Sequence, residues 1–166
     1  MVIPGGITFD DEYYSIKLNS EHLGIPISLY IDQLVGLRLT GQNSGVKIVV
    51  DKYLQPSDST EVNDTTIFVK YVSSGTDNDG SGLIDGEALL TDTVFSYGNT
   101  VFNEGDSVLT LISEGASAVG SAAAISDGVY FIRGTFVDVA ADKIVLDPYA
   151  NTPSYRVGLS IQEELV

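Results

Sequence analysis

The sequence predicts a mainly β fold, and three features of it carry that expectation. Val, Ile and Thr recur beside nine Tyr and six Phe, with no Trp, and such β-branched and aromatic side chains suit a pleated, half-buried surface. Short apolar runs alternate with polar residues at the two-residue repeat of a strand. Gly, Pro and Asn-Asp clusters separate those runs, as turns do. The expected architecture is a set of short antiparallel strands forming one or two small sandwich or barrel modules. A chain of 166 residues can bury one sizeable core or two small ones. It divides by composition into an N-terminal arm or linker (1–34), a β module (35–105) and a C-terminal β module (106–166) that continues into or docks on another element.

Taken in order, Ile25 to Val50 reads as strand, strand and turn. Ile27, Leu29 and Ile31 alternate with Ser28 and Tyr30, Leu37 and Leu39 flank Arg38, and Gly41 to Gly45 precedes Val46-Lys47-Ile48-Val49-Val50. The polar stretch from Gln55 to Asp64 is an exposed loop, and Thr66 to Val72 has the residues of a central strand. A second loop of Ser, Gly, Asp and Asn runs from Ser73 to Gly86, ahead of a strand at Val94 to Tyr97 and a turn at Gly98-Asn99-Thr100. Val108 to Ile112 reads as a buried strand. The small residues from Gly115 to Ala124 admit one helical turn, which Gly120 weakens. Four short strands close the chain: Val129 to Arg133, Thr135 to Val139, Lys143 to Asp147 and Tyr155 to Ile161.

Charge and hydropathy narrow the function. Lys and Arg total 8 against 23 Asp and Glu, giving a formal net charge of -15, which repels phosphate backbones and anionic lipid. Nucleic acid is therefore not an expected partner. No run approaches the ~18 consecutive apolar residues of a spanning helix, so membrane insertion is not expected either. The start, Met1 to Gly6, lacks the basic and apolar regions of a signal peptide. With no Cys, disulfides, thiolate catalysis and Cys-bound metal are excluded.

One segment resembles a metal loop. Asp77-Asn78-Asp79-Gly80-Ser81-Gly82-Leu83-Ile84-Asp85 follows the first nine positions of an EF-hand, with oxygen ligands from Asp77, Asp79, Ser81 and Asp85, Gly82 at the sharp turn and Ile84 at the apolar position. The twelfth position, where a bidentate Glu should close the site, is Ala88, and Glu87 comes one place early. A solvated turn is the preferred reading, and no metal or other cofactor is expected.

Catalytic sets are equally thin. His22 is the single His and has no recognisable nucleophile or metal partner, so it reads as an ordinary loop or interface residue. Gly115 to Val119 lacks the last Gly of a nucleophile elbow, Gly41 to Lys47 has the wrong spacing for a phosphate loop, and Gly80-x-Gly82-x-x-x-Gly86 misses the dinucleotide fingerprint by one residue. No catalytic residue is assigned and an enzyme is not expected. Arg133 and Arg156 stand inside apolar strand patterns. They read either as the outward face of half-buried strands or as interface cations, and the scarcity of cations favours the interface.

The C-terminal stretch Gly128-Val129-Tyr130-Phe131-Ile132-Arg133-Gly134-Thr135 to Val139, with Ile144 to Leu159 containing Asn151-Thr152-Pro153-Ser154-Tyr155-Arg156, resembles the DUF4815 family of phage tail structural proteins, cyanophage-like members in particular. Leu39-Thr40-Gly41 to Val50, Phe68-Val69-Lys70-Tyr71 and Gly86-Glu87-Ala88-Leu89 are similar to the region preceding it, so the likeness covers Val35 to Val166. Family members tend to be longer, and the apolar ending from Leu159 to Val166 favours a segment of a larger polypeptide. The resemblance implies a virion structural protein of a tail fibre or baseplate, assembled in the host cytoplasm and carrying no activity to transfer. Its expected partners are copies of itself, as a homotrimer, other tail or baseplate proteins, and a host surface. A calcium- or carbohydrate-dependent adhesion module is the alternative.

Overall fold

The computed structural model describes residues 6–58, 62–73 and 82–160, and within them the fold is mainly β, as expected. Fourteen strands follow one another: β1 (Ile7–Lys17), β2 (Glu21–His22), β3 (Ile25–Pro26), β4 (Arg38–Gly41), β5 (Lys47–Leu54), β6 (Thr66–Ser73), β7 (Ala88–Thr91), β8 (Phe95–Tyr97), β9 (Thr100–Phe102), β10 (Ser107–Thr110), β11 (Ser117–Ile125), β12 (Gly128–Ile132), β13 (Thr135–Val139) and β14 (Asp142–Asp147). Eight of them form one antiparallel sheet in the order β10-β7-β4-β5-β6-β1-β11-β14, and β2–β3, β8–β9 and β12–β13 pair separately. The sheet takes strands from all three segments expected from the sequence, with β1 of residues 1–34 lying between β6 and β11.

The strand β1 organises the interior because both faces of its second half, from Tyr13 on, are covered. Tyr14, Ile16 and Leu18 point to a large core shared with Ile67 and Val69 of β6 and Ile48 and Val50 of β5. Tyr13 points the other way, where its ring stacks on Phe68 at 4.8 Å between centroids, beside Ala122. Each fully buried apolar side chain contributes roughly 1.5–3 kcal/mol, so the many side chains of the large core dominate stability. The stacked pair adds on the order of 0.5–1.5 kcal/mol beyond its burial.

A bulge lets one strand serve both faces. The register against β11 shifts between Asp10 and Tyr13, so Phe9 lies opposite Ala123 while Tyr13 lies opposite Gly120. One extra residue reverses the inward-outward alternation, and Ile7 and Phe9 consequently lie on the sheet face opposite to Tyr13.

The sheet curls at both ends without closing into a barrel. At one end Leu18 and Leu111 form an isolated antiparallel bridge that carries β1 towards the β10 edge. At the other, side chains span the gap between β5 and β14, four places apart in the sheet. Lys143 Nζ lies 2.5 Å from Asp51 Oδ2, Lys52 Nζ donates to the Lys143 carbonyl at 2.7 Å, and Tyr13 O–H donates to Asp51 Oδ2 at 2.7 Å. Burial raises the Asp51 pKa, but the hydrogen bonds from Lys143 and Tyr13 outweigh it and hold the carboxyl below its usual value. The Tyr13 phenol is pushed far up, by burial first and by Asp51 second.

Three sequence expectations are corrected. The strand expected at Ile27, Leu29 and Ile31 is a pair of 3-10 helices, Ile27–Leu29 and Ile31–Leu34. Ile27, Tyr30, Ile31 and Leu34 are all buried, a spacing of three, four and seven that fits a helical face better than an alternating one. Tyr30 also donates its hydroxyl to the Val108 carbonyl at 2.8 Å, and burial raises its pKa to about 12. The helical turn admitted for Gly115 to Ala124 is instead the long strand β11, paired on both sides with β1 and β14. The strand expected from Tyr155 is a segment without sheet pairing through residue 160, and Ile161 lies outside the described residues.

Gly120 explains why a small residue sits in that strand. A Cβ there would come 2.5 Å from the Asp147 carbonyl oxygen and 2.7 Å from that of Pro148, both backbone atoms that cannot swing aside. Gly120→Ala is expected to destabilise the fold by about 1–3 kcal/mol, the cost of overpacking, as read by urea unfolding. An unchanged midpoint would contradict the close approach.

Candidate functional site

The calcium-like loop is largely beyond description, since Asp77, Asp79 and Ser81 lie outside the described residues, but its closing half is clear. The two carboxylate oxygens of Asp85 accept hydrogen bonds from the backbone N–H groups of Gly115 and Ala116, at 2.7 and 2.9 Å. Glu87, only 2% exposed, is used up in the same way. Its Oε2 accepts from the N–H groups of Asn43 and Ser44 at 2.9 and 3.0 Å. Its Oε1 accepts from the Ser44 hydroxyl at 2.9 Å and from the Ile84 N–H at 2.7 Å. These carboxylates staple loops together, which gives a structural reason for acidic residues at this position. Gly41 makes room for that staple, because a Cβ on it would fall 2.2 Å from Ser44 Oγ. Among the described residues, no group of three or more His, Cys, Asp or Glu is arranged to hold a metal.

His22 is likewise committed to structure. It is 5% exposed, with Nε2 2.9 Å from the Ser107 carbonyl and Nδ1 2.8 Å from the Thr110 hydroxyl. A carbonyl only accepts, so Nε2 carries the proton and Nδ1 accepts from Thr110. The ring thus pins the β2–β3 hairpin to β10.

The two expected interface cations are not in strands. Arg133 occupies the turn between β12 and β13, with a positive φ of 47, and Arg156 is exposed on the unpaired segment after β14. No helix among the described residues is long and apolar enough to cross a membrane.

The most unusual surface is one that the sequence reading did not single out. Strands β11 and β14 end their pairing at Ile125 and Asp142, and β12 and β13 resume it in the same register from Gly128 and Val139 to Ile132 and Thr135. Together they make one long hairpin whose far half leaves the sheet as a two-stranded arm. Its two-residue turn, Arg133-Gly134, has φ of 47 and 91, the double positive of a type I′ turn that suits the strand twist. Phe131 and Phe136 face each other across the arm, 5.1 Å apart, and remain 62% and 64% exposed. Nothing in a local apolar pattern distinguishes a face covered by the same chain from one left open. The Asp51, Lys143 and Tyr13 cluster was also missed, since its members come from strands far apart in the chain.

No family model, curated protein or solved structure matches the chain. The likeness to phage tail proteins therefore rests on the sequence motifs quoted above.

His22 makes a pH prediction. Burial, the largest influence, lowers its pKa and the Ser107 carbonyl opposes this only in part. The unfolded chain then binds a proton near 6.5 that the folded chain still excludes. The stability contributed by neutral His22 is present above that value and is lost as pH falls towards the folded pKa. Melting temperature should drop between about pH 7.5 and pH 5, and His22→Gln should flatten that drop. Equal slopes for the two proteins would sink the assignment.

Proposed function

We propose that the chain is a structural protomer of a tailed-phage appendage, a tail fibre or baseplate component that works by assembly rather than catalysis. The arm of residues 128–139 is the observation that carries this reading. An isolated two-stranded hairpin is at best marginally stable in water, and this one exposes an aromatic pair that a lone globule would tuck away. The sequence motifs that resemble those of phage tail proteins run through the same arm, Tyr130 to Thr135, which supports a role in building a particle. Partners in this reading are further copies of the chain, as a homotrimer, and neighbouring tail or baseplate proteins.

The adhesion reading needs an ion in the 77–88 loop. The engagement of Asp85 and Glu87 with backbone amides counts against it, because two of the loop's carboxylates are already satisfied.

The test is made on purified tailed virions from the source of the sequence, with mass spectrometry for its peptides and electron microscopy for its position. The chain should co-purify with particles and map to the tail, and its melting temperature should ignore added calcium or chelator. Peptides confined to the soluble lysate would contradict the virion role. A large chelator-induced drop in melting temperature, abolished by Asp77→Ala, would promote the adhesion module instead.

A further inference from the structure

Side chains, not a further strand, occupy part of the outer edge of β14. The Ser126 N–H donates to the Gly6 carbonyl, so the even residues at this end of β11 turn their backbone groups towards β1 and the odd ones turn theirs towards β14. Ala123 lies opposite Ile144 and Ile125 opposite Asp142. The backbone groups of Ile144 and Asp142 are therefore committed to β11, and those of Lys143 and Val145 point away from it. Both outward groups of Lys143 are taken. Its N–H donates to Asp142 Oδ1 at 2.8 Å, and its carbonyl accepts from Lys52 Nζ at 2.7 Å. Charged side chains on an edge strand discourage a further strand from adding, and here they use the very groups that a ladder would need.

A segment with the pattern of a strand lies alongside. Residues 155–158 line one cleft with Ile144, Val145 and Leu146. Residues 157–159 line the next with Asp142 and Ile144. The chain thus runs back along β14 in the antiparallel sense. Its reversal is fixed, because Asp147 Oδ1 accepts from the N–H groups of Tyr149 and Ala150, and the Tyr149 hydroxyl lies 2.8 Å from Thr66 Oγ1. Tyr155, Val157 and Leu159 alternate with Arg156, Gly158 and Ser160, as a strand's residues do, yet residues 152–160 form no ladder.

We propose that residues 155–160 are a strap poised to close on β14 as a ninth strand, and that Asp142 and Lys52 hold it open by occupying the backbone groups of Lys143. Val157 and Leu159 share a cavity with Ile144, which sets the alternation: Val157 falls opposite Ile144, Arg156 opposite Val145 and Gly158 opposite Lys143. With Lys143 taken, the strap can bond at Val145 only. One such pair of bonds returns less than the entropy lost in ordering the segment. The strap of the same chain is the occupant because residues 148–154 tether it beside the edge, at an effective concentration that a second copy does not match. Every contact in this inference lies within one chain, so it stands apart from the assembly reading.

The test uses the full chain in dilute solution and reads amide exchange residue by residue by NMR, with mass by sedimentation. In wild type the amides of Arg156 and Gly158 should exchange close to the unprotected rate. A variant with Lys52→Met and Asp142→Ala loses one charge of each sign and keeps the net charge of -15. In it both amides should slow at least about tenfold at unchanged mass, as closing of the strap requires. The conservative pair Lys52→Arg with Asp142→Asn keeps a donor and an acceptor in place and should behave like wild type. If the first variant fails to fold, Asp142→Ala alone, at an exposed position, decides: it frees the Lys143 N–H, and Arg156 should exchange more slowly than in Asp142→Asn.

Protected Arg156 and Gly158 amides in wild type would overturn the proposal, because the strap would already be closed. Amides that stay fast in the folded variant would overturn it too, as would a conservative pair that slows them equally. Protection that comes only with a doubled mass would overturn it in favour of strand addition by a second copy.

Discussion

The fold depends on one strand having to satisfy two cores. The side chains of Tyr14 and Ile16 in β1, and of Leu18 just after it, enter the large core, and Tyr13 enters the small one against Phe68. In the sheet β1 is held between β6 and β11. The bulge at Asp10 to Tyr13 then sets what the rest of the strand can do. Without it Phe9 would share the face of Tyr13. With it, the first part of β1 helps build an apolar surface that faces out.

An acidic chain with few cations must satisfy its carboxylates by other means, and here backbone N–H groups serve. Asp85 takes two such bonds and Glu87 three. Asp147 takes those of Tyr149 and Ala150 at 2.9 Å each, and Asp106 that of Asn103 at 2.7 Å. In each case a loop is fixed by a carboxylate whose oxygens accept backbone N–H groups. The cation at Lys143 joins Asp51 across the open side of the curled sheet. A buried or half-buried pair of this kind is costly to break, because the partner left behind keeps its charge.

Strand existence was legible wherever local pattern and tertiary need agree. The hairpin of β12 and β13 stands where Val129 to Arg133 and Thr135 to Val139 suggested, and Thr66 to Val72 falls within β6. The residues 27–34 were misread because they hold two periods at once. Ile27, Leu29 and Ile31 alternate like a strand, yet Leu29 is 48% exposed while Tyr30 and Leu34 are buried, and packing chose the helical spacing. The strand β11 carries too few large side chains to announce itself, and its smallness answers to the backbone at Asp147 and Pro148 that crosses Gly120. Exposure of Phe131 and Phe136 was not legible at all, since alternation reports which face is apolar and not what covers it.

The proposed assembly divides the molecule into a self-sufficient body and an arm that needs a neighbour, and hydrogen exchange tests that division directly. In dilute protein the amides of β1, β5 and β6 should exchange together through global unfolding, while those of β12 and β13 should exchange far faster through local opening. On concentration into the assembled form, the arm amides alone should gain marked protection. Arm amides as protected as those of β1 in the dilute monomer would contradict the account, since the hairpin would then need no partner.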